Sequence, residues 1–297
     1  MSVASLTSAA AVLIIACLAL ICIIVSGPKV RTSPASIGHS RWGSRRSDLI
    51  LLAFRLAAGV YTIVISVLAL YETPGFSLQF FTVWTWLLLT LYFLASSIFS
   101  FSTLRYGDEH IEDVSKARRC SARFTQVVLC TAAAASLMLD ITLWGVLYPT
   151  DSDPDHSAEL NFISYNQHAI NMFFILVELA CNAIEMRLRD VALALWWPLI
   201  YCIWTILRIA ANPSVRRCLT EHVPVICDSN WLAEYMIWPY FFMDTSDPYV
   251  VVWCMALLSF FICSYFVMWL LWRSFHCCGG NKHRQAREAD TAGLAAA

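Results

Sequence analysis

Threonine, histidine and carboxylate side chains set in apolar stretches can do chemistry together, and this chain carries all three. Thr82 and Thr85 lie in the first turns of the stretch 80–102, Asp140 in 124–148 and His168 in 162–186. A threonine hydroxyl becomes a nucleophile when a base takes its proton. Neutral imidazole is the natural base near pH 7. The stretch 162–186 is also the most polar of its kind. Counted at about 100° per helical residue, His168, Asn171, Glu178, Asn182 and Glu185 fall on one stripe about 100° wide. Ionisable groups are costly in hydrocarbon, so this stripe is expected to face other helices or a wet cavity. Glu185, nearest the edge, can snorkel. Arg208 near one end of 190–211 and Arg55 in 48–70 are further charges within apolar stretches. The residue types also admit a bland reading. A threonine in a membrane helix commonly bonds the carbonyl four residues back, and a histidine among asparagines serves as glue between helices.

The elements that must position these groups are membrane helices. A hydrocarbon core about 30 Å thick needs roughly 20 apolar residues. Stretches near 8–26, 48–70, 80–102, 124–148, 162–186, 190–211 and 250–272 meet that length, and 59% of the chain is hydrophobic with only 14% charged. The fold class expected is all-α: a polytopic transmembrane bundle of seven spans, six forming the core and one extra at the N-terminus. Lys29, Arg31, Arg41, Arg45 and Arg46 follow the first stretch. Arg105, Lys116, Arg118, Arg119 and Arg123 follow the third, Arg187 and Arg189 the fifth, and Arg273, Lys282, Arg284 and Arg287 the last. These regions share one side if every stretch crosses, and the positive-inside rule makes that side cytoplasmic. The intervening 149–161 is acidic, with no Lys or Arg. Arg216 and Arg217 are the exception. The N-terminus is then outside and the C-terminus inside, and Thr82, Thr85, Asp140, His168 and Arg208 occupy one outer leaflet. The first stretch lacks a basic n-region and is longer than a usual h-region, so an uncleaved anchor is expected rather than a signal peptide. The organisation read from this is an anchor over 1–28, a basic, flexible cytoplasmic linker over 29–47, a six-span bundle over 48–273 and a disordered tail over 274–297.

No internal repeat, Gly-rich phosphate loop or basic nucleic-acid face is present in the sequence. No set of Cys and His has metal-ligand spacing, so neither metal nor cofactor is expected. Cysteines within the stretches read as small apolar residues. Cys218 and Cys227 share the last outer loop, a spacing that admits a local disulfide in an oxidising compartment. Cys277 and Cys278 stand just inside the membrane beside Arg273, a position suited to S-palmitoylation, with a pair of free thiols as the alternative.

Two segments resemble the androgen-induced, FAR-17a-like family of multipass membrane proteins, and within it the rolling-stone-like branch. The first is Gln79-Phe80-Phe81-Thr82-Val83-Trp84-Thr85-Trp86. The second is Asn166-Gln167-His168-Ala169-Ile170-Asn171 with the following Phe174-Ile175-Leu176-Val177-Glu178. The resemblance implies a six-span threonine hydrolase of fatty acid esters of hydroxy fatty acids, with Thr82 as nucleophile and His168 as base. It implies membrane lipids and a lipid ester as partners, in the endoplasmic reticulum or plasma membrane. This chain departs from the hydrolases around the histidine, where Ser164-Tyr165-Asn166-Gln167-His168-Ala169 lacks their first His and final Thr. The rolling-stone branch carries instead the expectation of a non-enzymatic protein of adhesion, fusion or scaffolding. A seven-helix receptor and a transporter using Asp140, Glu178 and Arg208 are the remaining classes. The first lacks an Asp/Glu-Arg-Tyr-like turn after its third or fourth span, and the second lacks an inverted repeat.

Overall fold

The computed structural model describes residues 32–72, 77–112, 116–150, 161–211, 240 and 249–277. The first apolar stretch, 8–26, lies outside them, as do Cys218, Cys227 and Cys278. Among the described residues the chain is helical, and its one β contact is an isolated bridge between Ser40 and Asn182. In chain order the main helices are α1 Pro34–Gly38, α2 Arg45–Glu72, α3 Phe81–Glu112, α4 Lys116–Thr142, α5 Asn171–Cys181, α6 Trp196–Ala211 and α7 Val250–Cys277.

Four segments are long and apolar enough to cross a membrane: Arg45–Glu72, Phe81–Gly107, Lys116–Leu147 and Val252–Cys277. Their burial separates them into two kinds. The two central ones are 61% and 67% buried, while Arg45–Glu72 and Val252–Cys277 are 33% and 22% buried. The peripheral pair is as apolar as the central pair, and it shows Leu49, Ile50, Leu56, Val60, Val64, Val252, Met255 and Phe266 to the outside. A soluble protein does not leave an apolar surface of that extent open. The expected all-α membrane bundle is therefore present, with four spans of sufficient length among the described residues.

The central packing is small against large. Ala132 to Ala135 of α4 are fully buried, as are Leu89, Tyr92 and Phe93 of α3. Small side chains let helix backbones approach closely where no water is available to drive association. α3 packs against α1, α2 and α4, and α4 packs against α5 and α7. Gly107 ends the span within α3, with φ at 73°, a left-handed conformation that glycine adopts without penalty.

The stretch expected over 162–186 forms a helix only as far as Cys181. It runs from Phe162–Tyr165 through a π turn, Asn166–Ile170, into α5. Residues 183–187 are then neither helix nor strand. The polar stripe accordingly keeps its helical register only through Glu178. Asn182 is buried as the helix cap, and Glu185 is exposed and pairs with Arg187. Glu178 accepts the Asn182 backbone N–H through its carbonyl.

Residues 32–47, within the segment read as a flexible linker, are built into the bundle. Ile37 of α1 is fully buried against α3. Gly38 is there because a Cβ at that position would stand 2.0 Å from Thr103 Oγ1. The Asp48 carboxylate in the first turn of α2 accepts from the Ser40 N–H at 2.7 Å and holds the His39 ring at 2.7 Å. Arg41 donates to Phe275 O of α7 at 2.7 Å, and its N–H donates to Cys181 O of α5. One short segment thus closes the C-terminal ends of two helices, where carbonyls lack helical partners.

Candidate functional site

The bundle has two polar ends. At the basic end lie the N-termini of α2 and α4 and the C-termini of α5 and α7, joined by Arg41 and by the Arg123 guanidinium on the Asp190 carboxylate. The residues expected to do chemistry lie toward the opposite end.

His168 sits in the π turn Asn166–Ile170, and α4 ends in a second π turn, Leu143–Leu147. The two meet: Trp144 of the second donates its indole N–H to the His168 carbonyl at 3.0 Å. Single π turns inside α-helices recur at functional sites because they re-aim one side chain without ending the helix. The His168 ring is 90% buried at the side chain, and its Nδ1 stands 3.7 Å from Asp140 Oδ1. That distance is outside a hydrogen bond and inside the range of charge attraction. Asp140 is held in turn by Asn171, whose Nδ2 donates to the same Oδ1 at 3.1 Å. Asn171 Oδ1 accepts the Met172 N–H at 2.6 Å. The sequence stripe therefore places His168 and Asn171 around one carboxylate from another helix.

Thr82 and Thr85 are buried in the first turns of α3. A turn over Ser77–Gln79 leads into that helix, and Trp84 fixes the junction by donating to Leu78 O at 2.8 Å. The Trp84 ring packs on Trp197, Tyr201 and Trp204 with centroids 5.7, 5.6 and 5.1 Å away. Tyr201 donates its hydroxyl to Gln79 O at 2.5 Å, and Arg208 donates to Gln79 Oε1 at 3.0 Å. Arg208 thus braces the start of α3. The Thr82 side chain lies against the Tyr240 phenol, a contact no pattern in the sequence pointed to. Thr82 and His168 share no hydrogen bond among the described residues, although the π turn packs against α3.

Several buried polar atoms of this half have no hydrogen-bond partner among the described residues. They are Ser77 Oγ, Gln79 Nε2, Thr85 Oγ1, Ser136 Oγ, Gln167 Nε2 and His168 Nδ1. Each such atom costs about 1–3 kcal/mol when left without water or a ligand.

Glu178 belongs to a different centre, toward the basic end. It is fully buried and pairs with Arg55, whose Nε and Nη2 donate to it at 3.1 and 2.5 Å. Tyr92 donates its hydroxyl at 2.6 Å, and Asn182 Nδ2 donates at 3.1 Å. Arg55 spends its remaining donors on Ile37 O at 2.7 Å and Ser100 Oγ at 2.6 Å. Arg55 and Tyr92 complete a network of which the sequence stripe gave only Glu178 and Asn182. A usable signal existed. Arg55 and Glu178 each lie about two turns in from the basic ends of the stretches 48–70 and 162–186, so opposite charges share one depth.

Cys277 is the last residue of α7, and its thiol is exposed. Among the described residues no three His, Cys, Asp or Glu side chains gather as a metal site would require. No protein-family model, no curated protein and no solved structure matches this chain.

Proposed function

We propose that this protein is an intramembrane hydrolase of lipid esters, with Thr82 as nucleophile and His168 as general base. The observation that carries the reading is the Asn171–Asp140–His168 chain. A carboxylate, itself held by an amide, faces Nδ1 of a buried imidazole. That is how a base is oriented so that its other nitrogen meets a substrate. The unpartnered Thr85, Gln167 and Ser136 atoms support it, because a polar ester group or an attacking water would supply their missing partners. The aromatic and apolar walls around Trp84 suit acyl chains.

In this reading Thr82 Oγ attacks the ester carbonyl carbon while His168 Nε2 takes the hydroxyl proton. The tetrahedral intermediate collapses, the C–O bond to the alcohol breaks, and the alcohol leaves with the proton held by His168. Water then attacks the acyl-threonine, gives His168 its proton, and the acid departs as threonine regains its hydrogen. The nucleophile and the base come within reach when the substrate enters, since catalytic contacts are commonly longer in the free enzyme. The basic end is then cytoplasmic and the reacting end faces the lumen or cell exterior.

The test is turnover of a long-chain fluorogenic ester by the purified full-length protein, with labelling by a serine-hydrolase probe. Thr82→Ser should retain both, and Thr82→Val should remain folded and lose both. His168→Ala should slow turnover by about 10²–10⁴-fold. Undiminished hydrolysis by Thr82→Val would refute the assignment. A second reading, a non-enzymatic adhesion, fusion or scaffolding protein, is favoured by one observation. Thr82 lies against Tyr240 and, among the described residues, makes no hydrogen bond to His168.

A further inference from the structure

An open cleft of about 500 Å³ lies at the basic end, between residues 185–188 and the last two turns of α7. Arg187, Arg273, His276, Trp269 and Trp272 line it, with Glu185 at one edge. Its cations are not used up by the fold. Arg41 closes the α7 C-terminus by donating to Phe275 O, so Arg273 is not needed there. The Arg273 guanidinium instead rides over the Trp269 ring, 5.4 Å from its centroid, and is exposed. Among the described residues it has no carboxylate partner. Arg187 pairs with Glu185 through Nε and Nη2, at 2.8 and 2.7 Å, and its Nη1, buried beneath the cleft wall, has no partner among the described residues. The His276 ring has Nδ1 2.8 Å from Trp272 O and Nε2 3.0 Å from Asn182 O. The cleft therefore carries two arginines and one glutamate, with an imidazole between carbonyls beside them.

We propose that this cleft binds the phosphate of an anionic membrane lipid. The chemistry asks for guanidinium donors, which match phosphate oxygens in pairs. The place asks for a lipid rather than a free ion. The cleft lies on the last two turns of a membrane-spanning helix, where headgroups sit, and its Trp269 and Trp272 walls are the residues that favour that level. Arg273 is held over Trp269 in readiness, so little side-chain freedom is lost on binding.

The experiment is native mass spectrometry of the full-length protein in detergent, titrated with dioleoyl phosphatidate. Dioleoyl phosphatidylcholine and inorganic phosphate are run beside it. The protein should hold phosphatidate in preference to phosphatidylcholine, and inorganic phosphate at equal concentration should not compete. Arg273→Gln, exposed and free of hydrogen bonds among the described residues, should weaken phosphatidate binding by about tenfold, the loss of one charge-assisted contact. Arg187→Gln with Arg273→Gln should abolish the preference. Arg45→Gln with Arg46→Gln removes two charges from the same end outside the cleft and should leave binding within about twofold, as single exposed charges act weakly. Three outcomes would overturn the proposal. They are phosphatidate binding unchanged by Arg273→Gln, an equal loss in the Arg45/Arg46 variant, and displacement by inorganic phosphate. The last would mark a free-phosphate site.

Discussion

Replacing Glu178 by Met should be among the most damaging single changes in this bundle, and removing Arg55 with it should add no further loss. Glu178 and Arg55 have fully buried side chains, and the carboxylate takes four donors from three residues. Met fills a similar volume, so a cavity is not the issue. What the change leaves is a guanidinium in the bundle that cannot shed its proton. Breaking a buried pair on one side costs about 3–5 kcal/mol. Arg55 still has Ile37 O and Ser100 Oγ to donate to, which puts the expected loss near the lower figure, about 3 kcal/mol. At roughly 2–4 °C per kcal/mol this is a fall in Tm of about 10 °C. Arg55→Met with Glu178→Met removes both charges. It leaves the Tyr92 hydroxyl, the Asn182 amide and the Ile37 carbonyl short of partners, at about 1 kcal/mol each. The double variant should thus unfold no more easily than Glu178→Met alone. Thermal unfolding in one detergent, followed by tryptophan emission, measures all three proteins. If the double variant loses the sum of the two single losses, charge pairing is not what holds α2 to α5.

Asp140→Asn keeps the shape and removes the charge facing His168 Nδ1, so ester turnover should fall by about 10²-fold or more while Tm changes little; equal turnover would remove Asp140 from the site. Gly38→Ala should lower stability by about 1–3 kcal/mol, because the new methyl meets Thr103 Oγ1 and backbone, and Thr103→Ala in the same chain should recover part of the loss in a thermal melt. Glycosylation acceptors introduced into 149–161 should be modified in microsomes and those in the tail after 277 should not, as the basic side is expected to stay cytoplasmic; the reverse pattern would invert the depth assigned to Thr82 and His168.

What the sequence made legible follows from which physical term each feature depends on. Burial of charge is a local matter, so periodicity alone was enough to send His168, Asn171 and Glu178 inward, and all three are buried. Length and apolarity located α2, α3, α4 and α7. The pairing of Glu178 with Arg55 and Tyr92 depends on how α2, α3 and α5 are rotated against one another, which no single stretch encodes. Tyr92 gives no such signal because an aromatic residue in an apolar run reads as packing, while its hydroxyl is spent on a carboxylate. The end of the helix at Cys181 was missed for a similar reason. Residues 182–186 have no proline or glycine to stop it; Asn182 stops it by capping and by bridging to Ser40, a residue more than a hundred positions earlier. The segment after the first apolar stretch read as a linker from its Ser, Pro, Gly and Arg content. Its order comes from partners outside it: the nearby Asp48 carboxylate, the distant Cys181 and Phe275 carbonyls and the groove beside Thr103.

The two polar centres differ in a way that bears on function. Around Glu178 the main donors and acceptors meet: guanidinium, carboxylate, phenol and amide are joined across α2, α3 and α5, and the 37–40 segment is tied into the same set through Ile37 O and Ser100. A fully satisfied buried network rigidifies what it joins. Around His168 the accounting does not close. Gln167 Nε2, Thr85 Oγ1 and His168 Nδ1 lack partners among the described residues, and two π turns interrupt the helices there. Unspent hydrogen-bonding capacity persists only where the surrounding structure holds it, and it gathers at sites that act on something else. That division, more than the identity of any one residue, is the physical ground for the proposal that the chemistry lies beside His168 rather than beside the more heavily charged Arg55 and Glu178.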